Sequence, residues 1–131
     1  MVLPLHWEQT LILNLPGRSE YWIQRALDRG SNYTIEDIAR GIESGEMHLL
    51  HREDAAVVFS IQEDEVRFCL ILTFSCEDMS RYMHYMDDIH QWAREQGCVE
   101  MRVHGRKAWS KVLDYEIIGK DDDSYIMRKQ L

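Results

Sequence analysis

The chain has only 2 proline and 7 glycine residues in 131, which leaves little room for a long flexible linker. Cysteine is sparse and odd in number: Cys69, Cys76 and Cys98 form no CxxC pair. That excludes a disulfide framework as the organising principle and predicts reduced thiols in a cytosolic compartment. Positive charge is also short, with 15 Lys and Arg against 23 Asp and Glu, a net charge of −8 and an isoelectric point near 5.2. Cations displacing counterions supply most non-specific nucleic-acid affinity, so a nucleic-acid partner is not expected. The same sign disfavours an anionic membrane surface. No run approaches the roughly 20 apolar residues of a membrane-spanning helix, so no membrane insertion is expected. The stretch Met1-Val-Leu-Pro-Leu-His-Trp-Glu lacks the charged region and apolar core of a secretory signal.

What is present suits one globular unit: 45% hydrophobic and 29% charged residues over a length typical of a single domain. The expectation is one domain over 1–131, with 1–17 an irregular arm. Tyr21, Trp22, Ile23, Ala26 and Leu27 give a helical face between Arg18 and Arg29. Thr34 and Asp37 have capping-box spacing ahead of the stripe Ile35, Ile38, Ala39, Ile42, and Gly45 is a natural stop. The period then changes to two. Strands are expected over 47–52, 55–61 and 66–74, with turns at Glu53-Asp54 and Gln62–Glu65.

A long helix is expected from Asp78 to Gln96, its face built by Met79, Tyr82, Met83, Met86, Ile89 and Ala93. Val99–His104 reads as a strand with 99, 101 and 103 pointing one way. A short helix over Lys107–Leu113 and two strands, 115–118 and 124–128, complete the chain, with a turn at Gly119–Asp123. The order α-α-β-β-β-α-β-α-β-β contains one parallel βαβ crossover inside an otherwise antiparallel sheet. It predicts an α+β fold with a mixed sheet and helices on both faces.

Several segments carry a resemblance. Gln91-Trp-Ala-Arg-Glu-Gln-Gly-Cys-Val-Glu-Met-Arg-Val and His104-Gly-Arg-Lys-Ala-Trp-Ser-Lys-Val-Leu resemble the late part of the GNAT N-acetyltransferase superfamily. From Ala26 to Leu131 the chain resembles small GNAT-like proteins encoded among the structural and packaging genes of tailed bacteriophages. Tyr33-Thr-Ile-Glu-Asp-Ile, Gly45, Gly105-Arg106, Trp109-Ser-Lys-Val-Leu and Ile126-Met-Arg-Lys-Gln-Leu carry that likeness. The resemblance implies a GNAT-like fold and, for an enzyme, acetyl-CoA held at the start of the long helix. It also implies a virion or host-cytoplasm setting.

Two departures from the family pattern count against catalysis. The pyrophosphate motif is glycine-rich, whereas Phe74-Ser-Cys-Glu-Asp-Met-Ser-Arg-Tyr has no glycine and sets Glu77 and Asp78 where an anion would sit. If acetyl-CoA binds, Phe74, Ser75, Ser80 and Arg81 would hold it. The family's late tyrosine acid falls on Val112; Tyr115 or Tyr125 would have to replace it, with Glu100 and His104 as other titratable neighbours. These departures point to a non-catalytic structural or interaction protein of a bacteriophage virion or its assembly, with no cofactor. The alternative is an acetyl-CoA-dependent N-acetyltransferase with a non-standard pyrophosphate loop. Protein partners would meet Trp7, Arg106, Lys107 and Trp109, and Trp22 and Trp92 are further candidates for exposed aromatics. Histidines are expected at surfaces and boundaries, and their spacing offers no metal site.

Overall fold

The structure, a computed structural model, describes residues 17–29, 33–121 and 124–131, and at 79, 82, 83 and 121 the backbone alone. Helix α1 (Ser19–Leu27) and α2 (Ile35–Ser44) precede the strands β1 (His48–Arg52), β2 (Ala55–Glu63) and β3 (Arg67–Cys76). A 3-10 turn (Met79–Arg81) leads into α3 (Tyr82–Glu95), then β4 (Glu100–Gly105), α4 (Trp109–Leu113), β5 (Glu116–Asp121) and β6 (Ser124–Gln130). The sheet runs β1-β2-β3-β4-β6-β5. Its one parallel pair is β3 with β4, the two strands that α3 connects. The α+β fold expected from the element order is present.

Each face of the sheet has its own core. On one, Trp22, Ile23 and Leu27 of α1 and Ile38 and Ile42 of α2 cover Leu49, Ala56 and Val58. On the other, Met86, Ile89, Trp92 and Ala93 of α3 and Leu113 of α4 cover Leu50, Val57, Phe59, Cys69 and Met101. The α2 cap forms as its spacing dictates. Thr34 Oγ1 accepts from the Asp37 amide at 3.1 Å, and Asp37 Oδ2 accepts from the Thr34 amide at 3.0 Å. Gly45 closes the helix in the left-handed region at φ 87°, where a Cβ would be strained.

Several expectations are corrected. The long α-helix starts at Tyr82 rather than Asp78, because one 3-10 turn comes first. The short helix starts at Trp109, after a turn at Lys107 and Ala108. β2 continues through Gln62 and Glu63, and β5 through Asp121, because both strands keep their ladder partners into the supposed turns. Val99 does not share the burial of Met101 and Val103: it precedes β4 and is 48% exposed.

The tryptophans differ most from expectation, since Trp22 and Trp92 are both buried. The Trp22 indole N–H donates to the Glu53 carbonyl at 3.1 Å, which satisfies its one polar atom. Trp92 packs against the rings of His48 and Phe59, at 4.7 and 5.3 Å between centroids. His90, expected at a boundary, lies in the core with its Nε2 3.0 Å from the Tyr115 hydroxyl. None of the three cysteines forms a disulfide, and Cys69 and Cys98 are buried.

Candidate functional site

The parallel pair of strands is split at its carboxyl end. β3 and β4 pair only from Phe68–Glu100 to Ile71–Val103, although β3 continues to Cys76 and β4 to Gly105. Immediately beyond the last pair β3 carries a bulge. Phe59 of β2 opposes Ile71 and Val58 opposes Thr73, so Leu72 is an extra residue. A bulge bends its strand and raises the local twist, which turns β3 away from β4.

A cavity of about 600 Å³ occupies the divergence. Leu70 to Phe74 form one wall, and Val103, His104 and Gly105 form the other. Ala26, Arg29 and Tyr33 reach it from the α1 side of the sheet, and Arg106 and Trp109 from the α4 side. Ligands in open α/β sheets favour such positions, beyond the carboxyl ends of strands. Phe74 and Trp109 meet edge to face at 4.7 Å and give the cavity an aromatic wall.

The polar lining is unusual for so acidic a chain. Arg29, His104 and Arg106 line the cavity, and among the described lining residues there is no carboxylate. Thr73 is 5% exposed, yet its hydroxyl has no hydrogen-bond partner among the described residues. A buried hydroxyl is ordinarily paired, so this one is a polar atom left unmatched inside the β3 wall.

The entry to α3 is built differently. The Asp78 carboxylate accepts from the Ser80 amide at 2.9 Å and from the Ser80 hydroxyl at 2.8 Å. Those bonds, hydroxyl first, hold the Asp78 carboxyl below its ordinary range. Glu77 is tied through its backbone, whose N–H donates to the Asp54 carbonyl at 2.9 Å. Asp54 also accepts from the Tyr85 hydroxyl at 2.8 Å and from Arg81 at 3.2 Å, so Arg81 is engaged with the β1–β2 turn.

The structure sorts the sequence candidates. Phe74, Arg106, Trp109 and His104 line the cavity; Ser80, Arg81 and Lys107 are exposed outside its lining. Ser75 is buried, with no hydrogen-bond partner for its hydroxyl among the described residues. Tyr115 does not reach the cavity lining. It is buried against His90, and burial pushes its phenol pKa up. Tyr125 is half-buried against the α3-side core, with Lys120 Nζ 5.4 Å from its ring centre. Glu100 is buried and paired with Arg102 at 2.5 Å, on a stretch of β4 still zipped to β3. Trp7 lies outside the described residues. Sequence reasoning missed Arg29, Tyr33 and Thr73, which lie far apart along the chain and meet only in the folded structure.

Comparisons with solved structures match this architecture. The chain superposes on the PaiA N-acetyltransferase of Thermoplasma acidophilum in complex with coenzyme A at a TM-score of 0.61 and 12% identity, covering 98% of this chain and 96% of that one. A GNAT-family acetyltransferase of Listeria monocytogenes gives 0.54 at 14% identity, covering 83% of each chain. The fold is that of the GNAT acetyltransferases. No protein-family model matches the sequence, and no curated protein matches it. At these identities the likeness is one of fold, and it bears on neither a bacteriophage setting nor a virion or host-cytoplasm location. The expectation that no cofactor is involved gains no support, given a neighbour bound to coenzyme A. Among the described residues no helix is long and apolar enough to cross a membrane.

Proposed function

We propose that this chain is a GNAT-type N-acyltransferase that takes acetyl-CoA as donor and binds its acyl end in the split between β3 and β4. The observation that carries the reading is the open cavity of about 600 Å³ beside the Leu72 bulge, between the diverging ends of β3 and β4. The apolar surfaces of Leu70, Leu72, Phe74 and Trp109 suit an acyl-pantetheine arm. The diphosphate would meet a non-standard loop, because Asp78 already takes the Ser80 amide.

Bound there, acetyl-CoA would supply the activated acetyl thioester. The chain's own residues do the rest. The His104 imidazole, exposed on the cavity wall, is the side chain placed to take a proton from an attacking amine. Arg29 and Arg106 disfavour a protonated ammonium beside them, which favours the neutral, nucleophilic amine. Calorimetry with acetyl-CoA on the full chain tests this reading. Saturable binding in the micromolar range is expected, and no binding at millimolar concentration sinks it.

A second reading rests on the Asp78 cap: a protein that docks a partner through Arg106, Lys107 and Trp109 and transfers nothing. The same calorimetry separates the two. Failure to bind acetyl-CoA, with a partner lost on Arg106→Ala, would favour docking.

A further inference from the structure

The acceptor's chemistry is written in the cavity's charge. The whole chain carries −8, so a cavity drawn at random from its surface would hold more carboxylates than cations. Instead Arg29, His104 and Arg106 line it, with no carboxylate among the described lining residues. Neither arginine makes an ion pair among the described residues; those ion pairs use Arg40, Arg52, Arg67, Arg81, Arg102, Arg128 and Lys129. A guanidinium has donors only, and its strongest partners are carboxylates and phosphates. A simple amine, cationic before it reacts, would meet two guanidiniums with nothing to offset the repulsion.

We propose that the acceptor is an amine that also carries a carboxylate or phosphate, and that Arg29 and Arg106 bind this anionic group from opposite faces of the split sheet. Arg29 stands just past the end of α1, whereas Arg106 follows β4, so an anion between them is fixed relative to both walls. The amine is then held near His104 by a group remote from the reacting nitrogen. This deepens the acyltransferase reading and rests on it for the acyl site alone, since the anion subsite stands on the arginines themselves.

The test uses acetylated product analogues, which need no donor. The full chain is titrated calorimetrically with N-acetyl amino acids against their N-methylamides, and with N-acetylphosphoethanolamine against N-acetylethanolamine. At least one anionic member is expected to bind about tenfold or more tighter than its neutral match, a difference that shrinks as salt is raised. Arg29→Gln and Arg106→Gln should each bring that ratio close to one, with the folded state checked by circular dichroism. Equal binding of anionic and neutral members, no binding of any member, or a ratio that survives both substitutions overturns the proposal. If the substitutions weaken acetyl-CoA and leave the product analogues unchanged, the anion belongs to the donor's phosphates and the acceptor proposal falls. Should acetyl-CoA fail to bind while the anionic analogues do, the acyltransferase reading is the one that fails.

Discussion

Single residues in this chain divide into those that face the split and those that only support it. His104 lines it; His90 and Tyr115, of equally reactive types, are held against one another in the core. His104→Gln is expected to lower kcat about a hundredfold in an assay of coenzyme A thiol release, with acetyl-CoA affinity retained. Tyr115→Phe should leave kcat within a few-fold of the parent, since its hydroxyl is committed to His90. Burial first, and then the Lys129 charge, lowers the His90 pKa from 6.5 to about 4. The unfolded chain therefore takes up this proton near pH 6.5 while the native state resists it. Stability should fall as pH drops from about 6.5 to about 4, by on the order of 3 kcal/mol, and then level. His90→Gln, measured by urea unfolding across that range, should flatten this part of the profile.

Elements were readable wherever local chemistry dictates them. The α2 cap is an example, for Thr34 and Asp37 satisfy each other's amides within one turn, and Thr34→Ala should cost about 1 kcal/mol in denaturant unfolding. The βα crossover was equally legible, because an apolar strand, a long amphipathic helix and an alternating strand admit one handed solution. The Leu72 bulge was not. In Phe68-Cys-Leu-Ile-Leu-Thr-Phe nearly every residue is apolar, so the alternation that would betray an extra residue is absent. The entry to α3 was half legible: Asp78 caps as its position suggested, but onto a 3-10 turn that delays the helix to Tyr82. Asp78→Ala should free the Ser80 amide and tighten acetyl-CoA binding several-fold by calorimetry.

At the scale of the molecule, a fold shared with acetyltransferases of 12% and 14% identity is kept by layer packing rather than by particular residues. Saturating acetyl-CoA should raise the melting temperature, because a ligand that binds only the folded state at a hundred times its Kd adds about 2.7 kcal/mol. Differential scanning calorimetry over a ligand series checks the logarithmic dependence. The assembly of the cavity was the least legible part of the sequence. Arg29, Thr73, His104 and Ser124 lie far apart along the chain; the order β3-β4-β6 in the sheet gathers the last three, and α1 packed on β3 adds Arg29.

The split also has a signature in time. Past Ile71 and Val103 each strand keeps its outer neighbour, β2 for β3 and β6 for β4, and loses the inner one. Since successive amides on a strand point to opposite sides, protons there should exchange with solvent in an alternating rhythm, slow toward the retained partner and fast toward the gap. Occupation of the gap should slow the fast set alone. Deuterium uptake along these two short stretches would then record, residue by residue, when the molecule holds its substrate.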